Sequence, residues 1–496
     1  MKKLKFPTAH TILLFIAFFA AVLTWIIPAG KYDTLAYSSS ENVFTKINGE
    51  QSTILPASQE TLNQLGIKIP LEKFTNGDIS KPISIPNTYR KLEAKPQSFI
   101  DFILSPIKGI IEVADIMLFV LMIGGLVGIV NYTGAFEAGI SWLSKILEGH
   151  EYMLIIVVTG LIGFGGTTFG MAEETMAFFP ILIPVFLAAK YDALVPVACI
   201  FLGSAMGSMA STTNPFATII ASDAAGINWT TGIFGRALMF FGGLTICIFY
   251  ILRYAKRVKN DPTKSLIYGQ KEEIENLFPT FSNSIRLTKK LWLIFFVFVF
   301  SFLVMVYGVS RLDWWFVEMT TVFFVGAIII GFIAKIKEEV FVDTFVRGAG
   351  QLLSVAFIIG IARGISILME EGLISDTILY YGSNLTAGMN KGLFINVLFL
   401  VYNGLSFFIS SSSGMAVLTM PIMAPLADGV GIGRESIVDA YMYGMGLFYF
   451  INPTGLILAS LAMAKIGFDK WLKFVMPLVL ILLVFTMTFL TISVYI

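Results

Sequence analysis

The chain has 496 residues, of which 56% are hydrophobic and 14% charged, against about 25% charged in an average soluble domain. Its net charge is +1, its two cysteines lie in apolar stretches, and its two histidines, His10 and His150, stand far apart. These figures exclude a soluble globular enzyme, a disulfide framework, a zinc cluster, a His-Glu-x-x-His metalloprotease and a nucleic-acid binder held by basic charge. An integral membrane protein is expected, with no catalytic residues, no bound metal and no cofactor.

In chain order, residues 1–30 place Lys2, Lys3 and Lys5 before the apolar run Thr11–Ala29. That run has about the length needed to cross ~30 Å of hydrocarbon, and its basic start places the N-terminus in the cytoplasm. It reads as a retained anchor, the small-residue cleavage signal around Trp25–Lys31 being weak. Residues 31–98 carry 8 Lys/Arg and 7 Asp/Glu and read as an extracytoplasmic polar loop, either a small cap or loose chain. Residues 99–254 form a first unit, containing an interrupted apolar stretch at 152–189 and a second at 193–225. Residues 255–290 are basic and read as cytoplasmic. Linking helices follow at 291–335, and a second unit occupies 336–496, with interrupted stretches at 391–428 and 437–464.

The two units share an ordered series of matches. Phe99-Ile-Asp-Phe102 pairs with Phe341-Val-Asp-Thr344, and Thr133-Gly-Ala135 with Glu371-Gly-Leu373. Phe169-Gly-Met-Ala172 pairs with Ser413-Gly-Met-Ala416, Pro180-x-x-x-Pro184 with Pro421-x-x-x-Pro425, Asn214-Pro215 with Asn452-Pro453, and Trp229 with Trp471. An extra span at Leu291–Tyr307 turns the second copy over, so inverted-topology repeats of the kind used by secondary transporters are expected.

Each copy is broken where small and polar residues gather. Phe164–Glu174 and Ile409–Ala416 interrupt stretches of roughly 38 residues, and Gly and Ser are poor helix formers that tolerate turns. Backbone freed inside a bilayer must be buried in protein or line a wet cavity. Two re-entrant hairpins satisfy this, and two pairs of full crossings satisfy the chain parity equally. The Asn214-Pro215 and Asn452-Pro453 pairs define two broken helices. Proline removes a donor, the asparagine amide supplies an acceptor, and the next half-helix presents its positive end, together suiting Na⁺ and a carboxylate. The bland alternative is proline kinks and small-residue helix packing.

Charges within apolar regions narrow the chemistry. Glu173 and Glu174 either meet a substrate cation or coupling ion, or pair with a basic residue such as Arg363 or Arg236. Arg363 is a candidate partner for a substrate carboxylate. Asp223, Lys465 and Asp439 read as interfacial.

The opening Lys5-Phe-Pro-Thr-Ala-His10, the run Leu23-Thr-Trp-Ile-Ile-Pro-Ala-Gly-Lys-Tyr-Asp33 and the Gly-Met-Ala-Glu-Glu and Ser-Thr-Thr-Asn-Pro segments resemble those of YfcC-type proteins. Those belong with the C4-dicarboxylate anaerobic carrier and arginine–ornithine antiporter families of the ion-transporter superfamily. The resemblance implies an all-α membrane protein with paired hairpins, broken helices, elevator-type movement and a homodimer in the bacterial inner membrane. It also implies that Thr167, Thr168, Ser211, Thr212, Thr213, Asn214, Ser410, Ser411, Ser412, Ser413, Asn452, Pro453 and Thr454 line the substrate and ion sites. The expected function is secondary transport of a small carboxylate-bearing metabolite: an amino acid, basic in side chain, moved by exchange or with Na⁺ or H⁺. The alternative is a C4-dicarboxylate or other organic anion.

Overall fold

Apolar runs as long as a bilayer is thick set the architecture. A computed structural model describes residues 7–49, 51–76, 79, 81–136, 138–139, 149–278, 288–312, 314–384, 389–409 and 411–496. Among these residues, eight helices are long and apolar enough to span: Ala9–Ile26, Ala114–Tyr132, Ile233–Asn260, Phe316–Ala334, Leu353–Glu371, Lys391–Phe408, Ser412–Val430 and Phe468–Ser493. The shortest has 18 residues, which at 1.5 Å per residue gives about 27 Å. The chain is a mostly helical, multi-pass membrane protein.

The helices occur in matched lengths. Phe99–Glu112 and Glu338–Gln351 have 14 residues each, Ala114–Tyr132 and Leu353–Glu371 have 19, Tyr152–Phe169 and Lys391–Phe408 have 18, and Leu194–Met209 and Arg434–Tyr449 have 16. Packing crosses between the sets: Phe99–Glu112 lies on Leu353–Glu371, and Glu338–Gln351 lies on Ala114–Tyr132. Glycines permit both contacts. A Cβ on Gly109 would sit 2.2 Å from the Gly360 carbonyl oxygen, and one on Gly348 would sit 2.4 Å from the Gly124 oxygen. Without a hydrophobic drive between helices in lipid, close backbone approach supplies the attraction. Helix Phe99–Glu112 accordingly buries Ser105 and Gly109 and exposes Phe99, Ile100, Ile103 and Ile107.

One expectation is corrected: the fold is not all-α. The described residues within 31–98 form a packed cap on a four-stranded antiparallel sheet, in the order Gln51–Pro56, Val43–Asn48, Thr34–Ser38, Ile83–Ser84. Gly49 turns the hairpin between Val43–Asn48 and Gln51–Pro56 with φ +63°, a left-handed backbone that favours a residue without a Cβ. Leu35, Phe44, Leu62, Phe74 and Ile83 fill the cap, and Val417 of helix Ser412–Val430 completes its core. Apolar residues spaced singly in polar sequence bury on one sheet face, a pattern too short to stand out from a loop.

The helix breaks are also shorter than expected. Tyr152–Phe169 runs through Gly163, Gly165 and Gly166 and ends at Gly170, before a 3₁₀ turn at Glu173–Phe178 and helix Phe179–Ala188. Helix Ser412–Val430 begins at the serine cluster itself and continues through Pro421 and Pro425. The inner glycines stay helical because they are packing surfaces: a Cβ on Gly166 would meet the Ser204 oxygen at 2.8 Å. The Asn-Pro pairs do sit in breaks, between Leu194–Met209 and Pro215–Ile219 and between Arg434–Tyr449 and Ile457–Met463.

This geometry sets a stability prediction. A Cβ on Gly207 would lie 2.3 Å from the Gly163 oxygen and 2.8 Å from the Thr167 nitrogen, both backbone atoms. Gly207→Val is expected to cost about 1–3 kcal/mol or more, read as a lower unfolding temperature in detergent. Gly160→Ala is the control, since nothing lies within 4 Å of its added carbon, and it should be neutral or slightly stabilising. Equal unfolding temperatures for the two variants would contradict the packing described.

Candidate functional site

The breaks converge on one another. Gly170 ends the first interrupted helix in the left-handed region (φ +75°), where an added Cβ would strike the Asn214 side chain at 2.7 Å. Asn214 caps Pro215–Ile219, its Oδ1 accepting from the Phe216 N–H at 2.8 Å. In the second half, Asn452 Oδ1 accepts from the Thr454 N–H at 3.0 Å and from its hydroxyl at 2.7 Å, while Nδ2 donates to the Ser406 carbonyl at 3.4 Å. The Ser412 hydroxyl donates to the Phe216 carbonyl at 3.3 Å, so the tip of one half touches backbone next to the break of the other. Tyr441 fixes that tip by donating to the Ser412 carbonyl at 2.7 Å.

Together they enclose a cavity of about 800 Å³. Asn214, Glu173 and Glu174 line it from the first half, and Ser411, Ser412, Ser413, Asn452 and Thr454 from the second, with Trp314, Trp315 and Tyr449 adding aromatic surface. The other predicted residues lie elsewhere. Thr167, Thr168, Ser211, Thr212, Thr213 and Pro453 are not on the wall among the described residues, and Ser410 lies outside them. The hydroxyls of Thr167, Thr168, Ser211, Thr212 and Thr213 are used in holding the first break. Thr167 Oγ1 donates to the Ala210 carbonyl at 2.9 Å, Thr213 donates to the Thr168 carbonyl at 2.9 Å, Thr168 to the Phe164 carbonyl at 2.6 Å, and the Ser211 and Thr218 hydroxyls bond each other.

The charges sort themselves by distance. Arg363 lies on the wall, as expected of a carboxylate partner, but it is already neutralised: Nη2 contacts Glu112 and Nη1 lies 3.1 Å from Glu370. Arg236 pairs not with Glu173 or Glu174 but with Asp439, Nε to Oδ1 at 3.1 Å. Asp439 and Asp223 are both buried in the protein, Asp223 facing Lys73 of the cap at 2.9 Å. Glu174 accepts from the Ala172 N–H at 3.0 Å, and among the described residues neither Glu173 nor Glu174 has a basic partner within ion-pair distance. Among the described residues, the wall thus carries five carboxylates (Glu112, Glu173, Glu174, Glu370, Asp376) against three cations (Lys31, Lys81, Arg363).

Sequence reasoning missed the contribution of the cap. Lys31 and Lys81 reach the wall from it, and the Lys81 ammonium donates to the Ser413 hydroxyl at 2.8 Å. Partial desolvation, and secondarily the Arg363 guanidinium, hold that ammonium below the ordinary lysine range. Burial pushes the Asp376 carboxyl up, while the Tyr32 N–H and Lys31 oppose it. No local signal marks these residues, because each is an isolated charge in a polar segment.

The helix breaks of this multi-pass protein meet at a cavity whose mostly apolar wall carries a few polar and charged groups, and the family it matches makes it a membrane transporter. Residues 6–495 match the family described as DcuC, C4-dicarboxylate anaerobic carrier, and the chain belongs to that family. It is 45% identical over 484 residues to an uncharacterised protein of Haemophilus influenzae, covering 96% of this chain and 95% of that one. It is 28% identical over 498 residues to the Escherichia coli protein named "Putative basic amino acid antiporter YfcC", covering 94% and 92%. Distant structural likenesses extend to the YdaH transporter of Alcanivorax borkumensis (TM-score 0.39, 11% identity, 98% of each chain). MtrF of Neisseria gonorrhoeae gives a TM-score of 0.40 at 16% identity, over 99% of this chain and 96% of that one.

Proposed function

We propose that this transporter carries a basic amino acid across the bacterial inner membrane, by exchange or coupled to Na⁺ or H⁺. The observation that carries the reading is the unneutralised Glu173/Glu174 pair on the cavity wall, with Arg363 and Arg236 committed to other carboxylates. A buried carboxylate without a countercharge, as Glu174 is at 8% exposure, is costly, and a substrate guanidinium or ammonium relieves that cost. The name carried by the E. coli relative agrees with this reading.

The proposed architecture divides the chain into a first helix (1–30), an extracytoplasmic cap (31–98), two inverted repeats (99–254 and 336–496), a cytoplasmic basic loop (255–290) and linking helices (291–335). The matched helix lengths and the crossed packing of Phe99–Glu112 and Glu338–Gln351 support it. In it, 152–189 and 391–428 are re-entrant hairpins, 193–225 and 437–464 are broken helices, and the N-terminus is cytoplasmic. A homodimer moving by an elevator mechanism completes the reading.

Competition during uptake into proteoliposomes tests it. Arginine or ornithine should inhibit uptake of labelled arginine, and succinate should not. A second reading, dicarboxylate transport with the glutamates carrying protons, draws on the family description and on the wall cations Lys31 and Lys81. Uptake of succinate that basic amino acids fail to inhibit would replace the first reading with the second.

A further inference from the structure

We infer that Lys81 is a specificity-determining residue of the carrier: an ammonium delivered by the cap that receives a substrate carboxylate beside Ser413. This rests on the carrier reading above and adds to it a ligand from outside the helical repeats.

The position of Lys81 is built rather than incidental. Ile79 and Ile83, two residues to either side, are buried at 3% and 0% exposure in the cap core. That core is closed by Val417, on the helix whose first turn contains Ser413. Lys68 to Asp428 at 2.7 Å and Lys73 to Asp223 at 2.9 Å tie the cap to helices Ser412–Val430 and Ile220–Ala225. The Tyr32 N–H donates to Asp376 at 3.0 Å and the Tyr89 ring stacks on Tyr380 at 4.1 Å, both on helix Ser375–Asn384. The cap that carries Lys81 is therefore tied to three helices.

Its charge is also uncommitted. Ser413 is a neutral acceptor for one of three ammonium protons, and no carboxylate among the described residues pairs with Lys81. Arg363, by contrast, is held by Glu112 and Glu370. A charge-assisted bond to a carboxylate is roughly twice as strong as one to a neutral group. A substrate α-carboxylate is the partner the site lacks, with Glu173 and Glu174 left for the distal cation.

The test uses the full-length protein purified in detergent, titrated by calorimetry with arginine and with agmatine, its decarboxylated counterpart. Wild type should bind arginine about tenfold or more tightly than agmatine. Lys81→Gln should weaken arginine about tenfold and leave agmatine within about twofold, removing the preference, while Lys81→Arg retains most of it. Unchanged agmatine binding also reports that the variant is folded. A Lys81→Gln protein that keeps the arginine preference, or that weakens both ligands equally, would overturn the assignment. Should wild type bind succinate and neither amine, the amino-acid reading fails separately. Lys81→Gln must then weaken succinate about tenfold, and unchanged succinate affinity overturns the role of Lys81 as well. Binding of none of the three overturns both.

Discussion

Replacing Arg236 with methionine is expected to destabilise the protein by about 3–5 kcal/mol, the cost of breaking a buried ion pair from one side. Arg236 is fully buried and 3.1 Å from Asp439, itself only 6% exposed. Its Nη1 donates to the Trp229 carbonyl at 3.0 Å and its Nη2 to the Thr231 carbonyl. The substitution strands one carboxylate and two carbonyls at the contact between helices Ile233–Asn260 and Arg434–Tyr449. Unfolding in detergent, followed by tryptophan fluorescence, should show the loss directly. The double variant Arg236→Met with Asp439→Leu should recover most of the carboxylate part of it, because an intact buried pair contributes little net stability. If the single variant unfolds at the wild-type temperature, this pair does not hold the two helices together.

The second large effect concerns transport. Glu173→Gln or Glu174→Gln, whichever meets the substrate cation, should weaken arginine by about 10- to 100-fold, since hydrogen bonds to charged groups contribute about 1.5–3 kcal/mol and 1.4 kcal/mol is tenfold. The double variant should lose arginine transport entirely. Glutamine keeps the shape and one acceptor oxygen, so the loss reports the charge rather than the packing. Wild-type arginine affinity in the double variant would remove cation recognition from this pair. The dicarboxylate reading makes a different forecast: the double variant would still carry succinate, but without dependence on the proton gradient.

Some of this site could be read along the chain. Asn214-Pro215 and Asn452-Pro453 announce breaks because proline cannot continue a hydrogen-bonded helix, and both asparagines lie on one cavity wall. Glu173 and Glu174 stood out as charges among apolar neighbours. In the folded chain Thr167 and Thr213 donate to backbone carbonyls of the break, an arrangement that hydroxyl-rich segments readily adopt. Arg363 reads as a mid-span charge, but Glu112 lies 251 positions away in sequence, and only folding brings the two together.

The amino-acid sequence by itself determined the membrane-spanning class and the breaks at the two Asn-Pro pairs. Each of these depends on local hydropathy and on what a residue permits its own backbone to do. Tertiary structure alone decided which charges remain available. It spends Arg363 and Arg236 on carboxylates, leaves Glu173 and Glu174 without a basic partner among the described residues, and carries Lys81 across 332 positions to Ser413. Electrostatic pairing depends on separation in space and on burial, and neither is recorded in the order of residues along a chain.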